Sequence, residues 1–204
     1  MTQTQLRPLT RDGNYITYEE FLEMDLEGLW EWEDGKAIQL SVDARHDAIF
    51  GFLHTLLSVF VDTHALGRLL TEPFQMKTGV DLPGRSPDIF FVSTGNLPRI
   101  QLKHLRGPAD LAIEIVSPGD SASNLEKKAQ EWLAHGTIAV LVMDPELTRV
   151  VLWRPTGAAR FDEHDLLDLA PAVPSFRIQV GELFPPTIDE IDEMAEQERE
   201  DEPS

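Results

Sequence analysis

Two carboxylates stand in apolar runs where a chain seldom places them. Glu114 lies inside Leu111-Ala112-Ile113-Glu114-Ile115-Val116, and Asp88 heads Pro87-Asp88-Ile89-Phe90-Phe91-Val92. Each run reads as a buried β-strand, short, rich in Val, Ile, Leu or Phe and bounded by Pro, Gly or Ser. A lone carboxylate in such a place costs several kcal/mol unless it is paired, hydrogen-bonded, neutralised or bound to a cation. Two of them on neighbouring strands, with lysines downstream, suggest a site for a hard divalent ion. Mg²⁺ (or Mn²⁺) takes a few carboxylates plus waters and substrate phosphate.

Side chains alternate along a strand, so Glu114 shares a face with the smaller Ala112 and Val116. Asp88 stands at the mouth of its strand, open to backbone amides and solvent. In the segment after Gly119, Leu125, Ala129, Trp132 and Leu133 form a buried helical stripe at about 100° per residue. Lys127 falls opposite that stripe, and Lys128 lies at its edge, so Lys128 is the lysine that can reach inward. Plainer roles stand beside these. Glu114 can be a buried acid satisfied by an arginine or backbone amides, Asp88 a turn residue, and Lys128 an apolar stem with a solvated head. Glu31 can be a surface acid, and His46 a satisfied core histidine.

Several elements must position these groups. Thr17-Tyr18-Glu19-Glu20 is a capping box that opens a short helix through Met24. Trp30-Glu31-Trp32-Glu33 and Lys36-Ala37-Ile38-Gln39-Leu40 flank Asp34-Gly35, a strong hairpin signal. A long helix is expected from about Ala44 to Ala65, capped by Asp43 and ended near Gly67. His46, Ile49, Phe50, Leu53, Leu56, Leu57 and Phe60 form its inner face. Leu69 to Val80 supplies one or two strands, and Pro83-Gly84-Arg85-Ser86 turns into the Asp88 strand. Residues 94–109 are a mostly polar, basic excursion. Ser123-Asn124-Leu125-Glu126 reads as a second capping box, for a helix closed by Gly136. Ile138–Met143 is a further buried strand, with Val150–Trp153 as its hairpin partner. Weaker strand signals fill 161–184.

A chain of 204 residues with 42% hydrophobic content suits one domain with a sizeable core. We place that domain at 15–186, between a disordered lead-in (1–14) and an acidic tail (187–204). The absence of cysteine removes disulfides, thiol catalysis and Cys-based metal sites. Neither an apolar leader nor a membrane-length apolar run is present, so residence in the cytoplasm, away from membranes, is expected. The net charge is -19, of which the tail carries -8, leaving -11 on residues 1–186. That balance opposes non-specific binding to nucleic acid unless cations gather locally.

In order and spacing the chain resembles the Uma2 family of endonucleases in the PD-(D/E)XK superfamily. The likeness rests on Trp30-Glu31 before Asp34-Gly35, His46, Pro87-Asp88, Glu114-Ile115-Val116-Ser117-Pro118, Lys128 before Trp132, Gly136 and Met143-Asp144-Pro145. It implies a restriction-endonuclease-like mixed α/β core, a central mixed sheet flanked by helices. It further implies that Asp88, Glu114 and the Ile115 carbonyl hold Mg²⁺ (or Mn²⁺), that Lys128 serves the catalytic lysine's role, and that Glu31 is an added, helix-borne acid. Val116 occupies the position where the superfamily usually has its lysine, and Lys128 on the next helix replaces it. His46 matches a recurrent position without an assigned role.

The activity so implied is metal-dependent hydrolysis of DNA phosphodiesters. Arg85, Arg99, Lys103 and Arg106 are the cations available for the DNA backbone, and a homodimer is a further expectation from the resemblance. Two alternatives stand: a catalytically degenerate nuclease-like binding module, favoured by Val116 and the acidic surface, and a metal-dependent phosphoesterase acting on small nucleotides. A carboxylate-pair glycosidase fits less well, since it has no standard use for the lysine.

Overall fold

The computed structural model of the protein describes residues 16–26, 30–33, 35–39, 44–78, 84–117, 119–186 and 191, without the side chains of Glu31, Glu33, Ile38 and Gln39. The expected lead-in, the Asp43 cap and, apart from Ile191, the acidic tail lie outside the described residues. Helix α1 (Tyr18–Leu22) begins with the expected capping box: Thr17 Oγ1 accepts from Glu20 N, and Glu20 Oε2 accepts from Thr17 N at 2.9 Å. It ends two residues before Met24. Strands β1 (Trp30–Glu33) and β2 (Lys36–Gln39) form the expected antiparallel hairpin across Asp34-Gly35.

Helix α2 (Ala44–Thr63) buries His46, Ile49, Leu53, Leu57 and Val61 on one face. Each buried aliphatic side chain contributes about 1.5–3 kcal/mol of transfer free energy. The helix ends two residues before the expected Ala65, and Gly67 is not the glycine that closes it. Ala65 takes the left-handed conformation (φ 52), with Leu66 N bonded to Val61 O at 2.9 Å and Ala65 N to Asp62 O at 3.2 Å, a Schellman motif. Gly67 instead opens β3 (Gly67–Thr71), where a Cβ would lie 2.1 Å from the Val92 carbonyl oxygen.

The chain continues through β4 (Gln75–Lys77), β5 (Ile89–Ser93), a 3₁₀ turn (Thr94–Arg99), β6 (His104–Arg106) and β7 (Leu111–Ile115). Helix α3 (Ala122–Ala134) follows. Its N-cap is Ser121, whose hydroxyl accepts from Asn124 N, not the expected Ser123. Ser123 already lies in the first turn, and Glu126 accepts a hydrogen bond from Gln130 instead of closing a capping box. Gly136 ends α3 as expected: its φ is 105, and Thr137 N bonds Trp132 O at 3.0 Å. Strands β8 (Ala139–Asp144) and β9 (Arg149–Arg154) form the expected hairpin. Then come β10 (Gly157–Phe161), β11 (Leu166–Asp168), β12 (Arg177–Gln179) and a 3₁₀ turn (Val180–Leu183).

The central sheet has six strands in the order β10-β9-β8-β7-β5-β3. Only β7 and β8 are parallel, joined by the α3 crossover; the other neighbours are antiparallel, so the sheet is mixed. Strand alternation sorts the core into two layers. Ile89, Phe91, Leu111, Ile113 and Ile115 pack with Ile49, Leu53, Leu57 and Val61 of α2. Phe90, Val92, Ala112, Val140 and Val142 pack with Leu125, Ala129 and Trp132 of α3. The short β4 and β6 pair in parallel on the α3 side, burying Met76 and Leu105 in that second layer. Among the described residues, no helix is long and apolar enough to cross a membrane.

Candidate active site

The carboxyl ends of the parallel pair β7–β8 and the start of β5 meet at one end of the sheet. In open α/β sheets, the carboxyl ends of strands are where ligands bind. Glu114 is the penultimate residue of β7 and, by alternation, faces the α3 layer with Ala112. Its residue exposure is only 7%. Lys128, two turns into α3, brings Nζ to 3.5 Å from Glu114 Oε2, with both side chains largely buried. Lys127 is exposed, so the stripe geometry selects the inward lysine correctly.

Asp88 lies one residue before β5, just beyond the last strand pair, Ile89 with Ile113. Its Oδ2 accepts the Ile115 amide hydrogen at 2.6 Å. The acid thus latches onto the residue that follows Glu114, extending the β5–β7 contact past the end of the ladder. His46, near the start of α2 and 5% exposed, places Nε2 at 3.3 Å from the same Oδ2. A carboxylate only accepts, so this contact forms with the imidazole tautomer that carries its hydrogen on Nε2. The two acids therefore draw one partner from each helix layer, His46 from α2 and Lys128 from α3.

Other expected residues fall differently. Arg85 forms an antiparallel bridge with Met76, and its Nε lies 3.2 Å from Glu131 Oε2 of α3. Glu131 was not anticipated, although it follows Lys128 by three residues and so shares its helix face. The backbone of Glu31 belongs to strand β1, paired opposite Ile38, and not to a helix as the resemblance implied; its side chain lies outside the described residues. Gly35 at φ 80 and the alternating Trp30-Glu31-Trp32-Glu33 favour the strand, with Trp32 buried and its Nε1 donating to Ile16 O. Among the described residues, no group of three or more His, Asp and Glu side chains gathers as a ready-made metal cage.

The outward face of the β4–β6 pair carries Gln75 and Lys77 beside His104 and Arg106, because Met76 and Leu105 point inward. Lys77 is directly opposite Arg106. The Tyr18 hydroxyl hydrogen-bonds Gln75, and Lys77 Nζ sits 5.5 Å over the Tyr18 ring. Burial raises the pKa of that phenol, which keeps it a neutral donor. Segments 73–78 and 94–109 hold Lys77, Arg99, Lys103 and Arg106 and no carboxylate, in a chain with 36 acids. These two segments thus carry four of the chain's 17 Lys and Arg residues without an acid of their own.

Residues 18–181 match the family model Uma2, described as "Putative restriction endonuclease". The chain belongs to the Uma2 family. A crystal structure of "a putative nuclease belonging to DUF820" from Anabaena variabilis ATCC 29413 is similar to this Uma2 protein, with 25% identity and a TM-score of 0.70. The likeness covers 83% of this chain and 97% of that chain. A cryo-electron-microscopy structure, the DrdV–DNA complex, aligns with 18% identity over 74% of this Uma2 chain and 11% of its own, at a TM-score of 0.33. That score is too low to bear on fold or function. No curated protein matches the chain. The mixed core expected for the family is the architecture observed, and it is a nuclease fold.

Proposed function

We propose that this Uma2 protein hydrolyses DNA phosphodiester bonds with Mg²⁺ (or Mn²⁺) held by Asp88, Glu114 and the Ile115 carbonyl. The observation that carries the reading is a chain of contacts at the carboxyl end of the parallel β7–β8 pair, from Asp88 at the head of β5 to the backbone beside Glu114, and from Glu114 to the helix-borne Lys128 ammonium. The two links are Asp88 to the Ile115 amide at 2.6 Å and Lys128 to Glu114 at 3.5 Å. The donor set suits the ion, since two carboxylates and a carbonyl offer hard oxygens and leave positions for waters and a phosphate oxygen. Such an ion, when bound, would polarise the scissile phosphate and lower the pKa of a water.

The protein's own groups then have distinct tasks. Asp88, hydrogen-bonded through Oδ2, would offer its other oxygen to the ion. Glu114 is steered by the Lys128 ammonium, and Lys128 is close enough to that acid to orient an attacking water and offset charge on the phosphate in the transition state. Lys77, Arg99, Lys103 and Arg106 offer cations to the DNA backbone from segments that carry no acid of their own. Arg85, engaged by Glu131, is a structural anchor between β4 and α3 in this reading.

Incubating supercoiled plasmid with the wild type, Glu114→Ala and Lys128→Ala, in Mg²⁺ and in chelator, tests the proposal. Metal-dependent nicking that falls at least 100-fold in both variants supports it; nicking that survives both substitutions discards this site. A wild type that binds plasmid without cutting it would favour the inert binding module instead, a reading to which the acidic body and Val116 lend support.

A further inference from the structure

We propose that His46 is a positioning residue that holds Asp88 for metal binding, so that the inner face of α2 belongs to the proposed metal centre. The inference rests on the metal site proposed above. His46 is 5% exposed and lies one turn before Ile49 on the face that packs against the sheet. Its backbone is therefore fixed by the core. Nε2 stands 3.3 Å from Asp88 Oδ2, while Ile115 N donates to that same oxygen from 2.6 Å.

Two donors on one carboxylate oxygen have a definite geometric effect. They set the plane of the carboxyl group and leave Oδ1 as the oxygen free of both bonds. Ile115 N alone leaves the group able to swing about that single bond. His46, approaching from α2, removes the remaining freedom. Asp88 precedes the ladder with its backbone carbonyl accepting from Glu72 N at 3.4 Å, so its main chain is held and the donors that reach Oδ2 orient its side chain, as Lys128 does for Glu114. Hydrogen bonds to ligating carboxylates orient them, and removing such a partner typically weakens metal affinity 10–100-fold.

The experiment is Mn²⁺ binding to full-length protein, followed by calorimetric titration and by the electron paramagnetic resonance signal of free Mn²⁺. It compares wild type, His46→Leu, His46→Gln, His46→Asn and Asp88→Asn, with metal-free melting curves for each. Leucine fills the site without a donor. Glutamine carries an N–H at about the reach of Nε2, while asparagine carries one too short to arrive. We expect His46→Leu and His46→Asn to weaken Mn²⁺ binding at least tenfold and His46→Gln to stay within threefold of wild type.

Should His46→Leu fail to fold, the comparison of the two amide variants carries the test. Equal Mn²⁺ affinity in wild type and in the asparagine variant, or an equal loss in both amide variants, overturns the positioning role. If Asp88→Asn abolishes binding while the His46 variants do not, only this inference fails. If wild type binds no Mn²⁺, or Asp88→Asn binds as wild type does, the metal site falls and the inference with it.

Discussion

Asp88 Oδ2 and the Ile115 amide are 2.6 Å apart, so the acid at the head of β5 is hydrogen-bonded to the backbone beside the acid of β7. This bond makes Asp88 a structural as well as a chemical group. Asp88→Ala removes a charge-assisted acceptor from a buried amide and is expected to lower stability by about 2 kcal/mol. Asp88→Asn keeps an acceptor and should cost less than half of that while still abolishing metal-dependent cleavage. Urea denaturation beside plasmid nicking separates the two effects. Equal stability losses in both variants would show that the Ile115 bond is not what matters.

Lys128 and Glu114 form a largely buried pair, and removing one member of such a pair is destabilising by about 3 kcal/mol. Lys128→Met should therefore melt at lower temperature without metal. The ammonium also competes with a cation for Glu114, so Mg²⁺ should raise the melting temperature of Lys128→Met more than that of wild type. The double variant with Glu114→Gln should lose less stability than the two single losses together, and should lose the Mg²⁺ response. Differential scanning fluorimetry over a Mg²⁺ series reads all of this; an equal Mg²⁺ shift in Lys128→Met and wild type counts against a shared site.

Lys77 and Arg106 stand side by side on the outer face of the small parallel pair. If they neutralise phosphates, Lys77→Ala with Arg106→Ala should reduce the slope of log affinity against log salt by about 2. Mn²⁺ affinity should not change. Fluorescence anisotropy of a labelled duplex across a salt series measures the slope, and an unchanged slope removes these two cations from the interface.

The Arg45 side chain hydrogen-bonds the Pro185 carbonyl, one residue before His46, so the chain enters its last segment beside the candidate site. Residues 187–204 carry a net -8. Truncation after Pro186 should raise duplex affinity at low salt through lost repulsion, with the difference shrinking as salt screens it. Identical binding curves at low salt would mean that the tail's charge does not act on the bound duplex.

Ala65 has φ 52, a conformation that costs an L-residue roughly 1 kcal/mol and glycine almost nothing. Ala65→Gly should stabilise the protein by up to about 1 kcal/mol, and Gly136→Ala, at φ 105 on the end of α3, should destabilise it by a similar amount. Thermal melts of the two variants should move in opposite directions. A common direction would refute the assignment of the two helix ends.

Much of this fold is legible in the chain because its strands are continuous apolar runs closed by Pro, Gly or Asp, and its helices repeat at their own period. Leu125, Ala129 and Trp132 alone suffice to turn Lys128 inward. The misreadings have local causes. Ser121 and Ser123 are equally good caps by type, and only the backbone decides between them. Ala65 gives no sign of a left-handed residue, whereas Gly67 gives a false one, being needed for close approach to Val92. Strand β10, Gly157-Ala158-Ala159-Arg160-Phe161, lacks alternation and exists by pairing with β9. The pairing of β4 with β6 and the contact of His46 with Asp88 join residues far apart in sequence. Neither has a local signature, so both had to await the tertiary structure.

The connection from β7 to α3 has a consequence for how such a protein diversifies. Glu114 is on a strand, Lys128 is two turns inside a helix, and Asp88 stands at the head of another strand. The link between β7 and α3, which follows Ile115 and precedes Ala122, thus bears none of the three. New residues inserted there would change what the mouth recognises while the reactive groups kept their scaffold, so selectivity and chemistry are separable in this architecture.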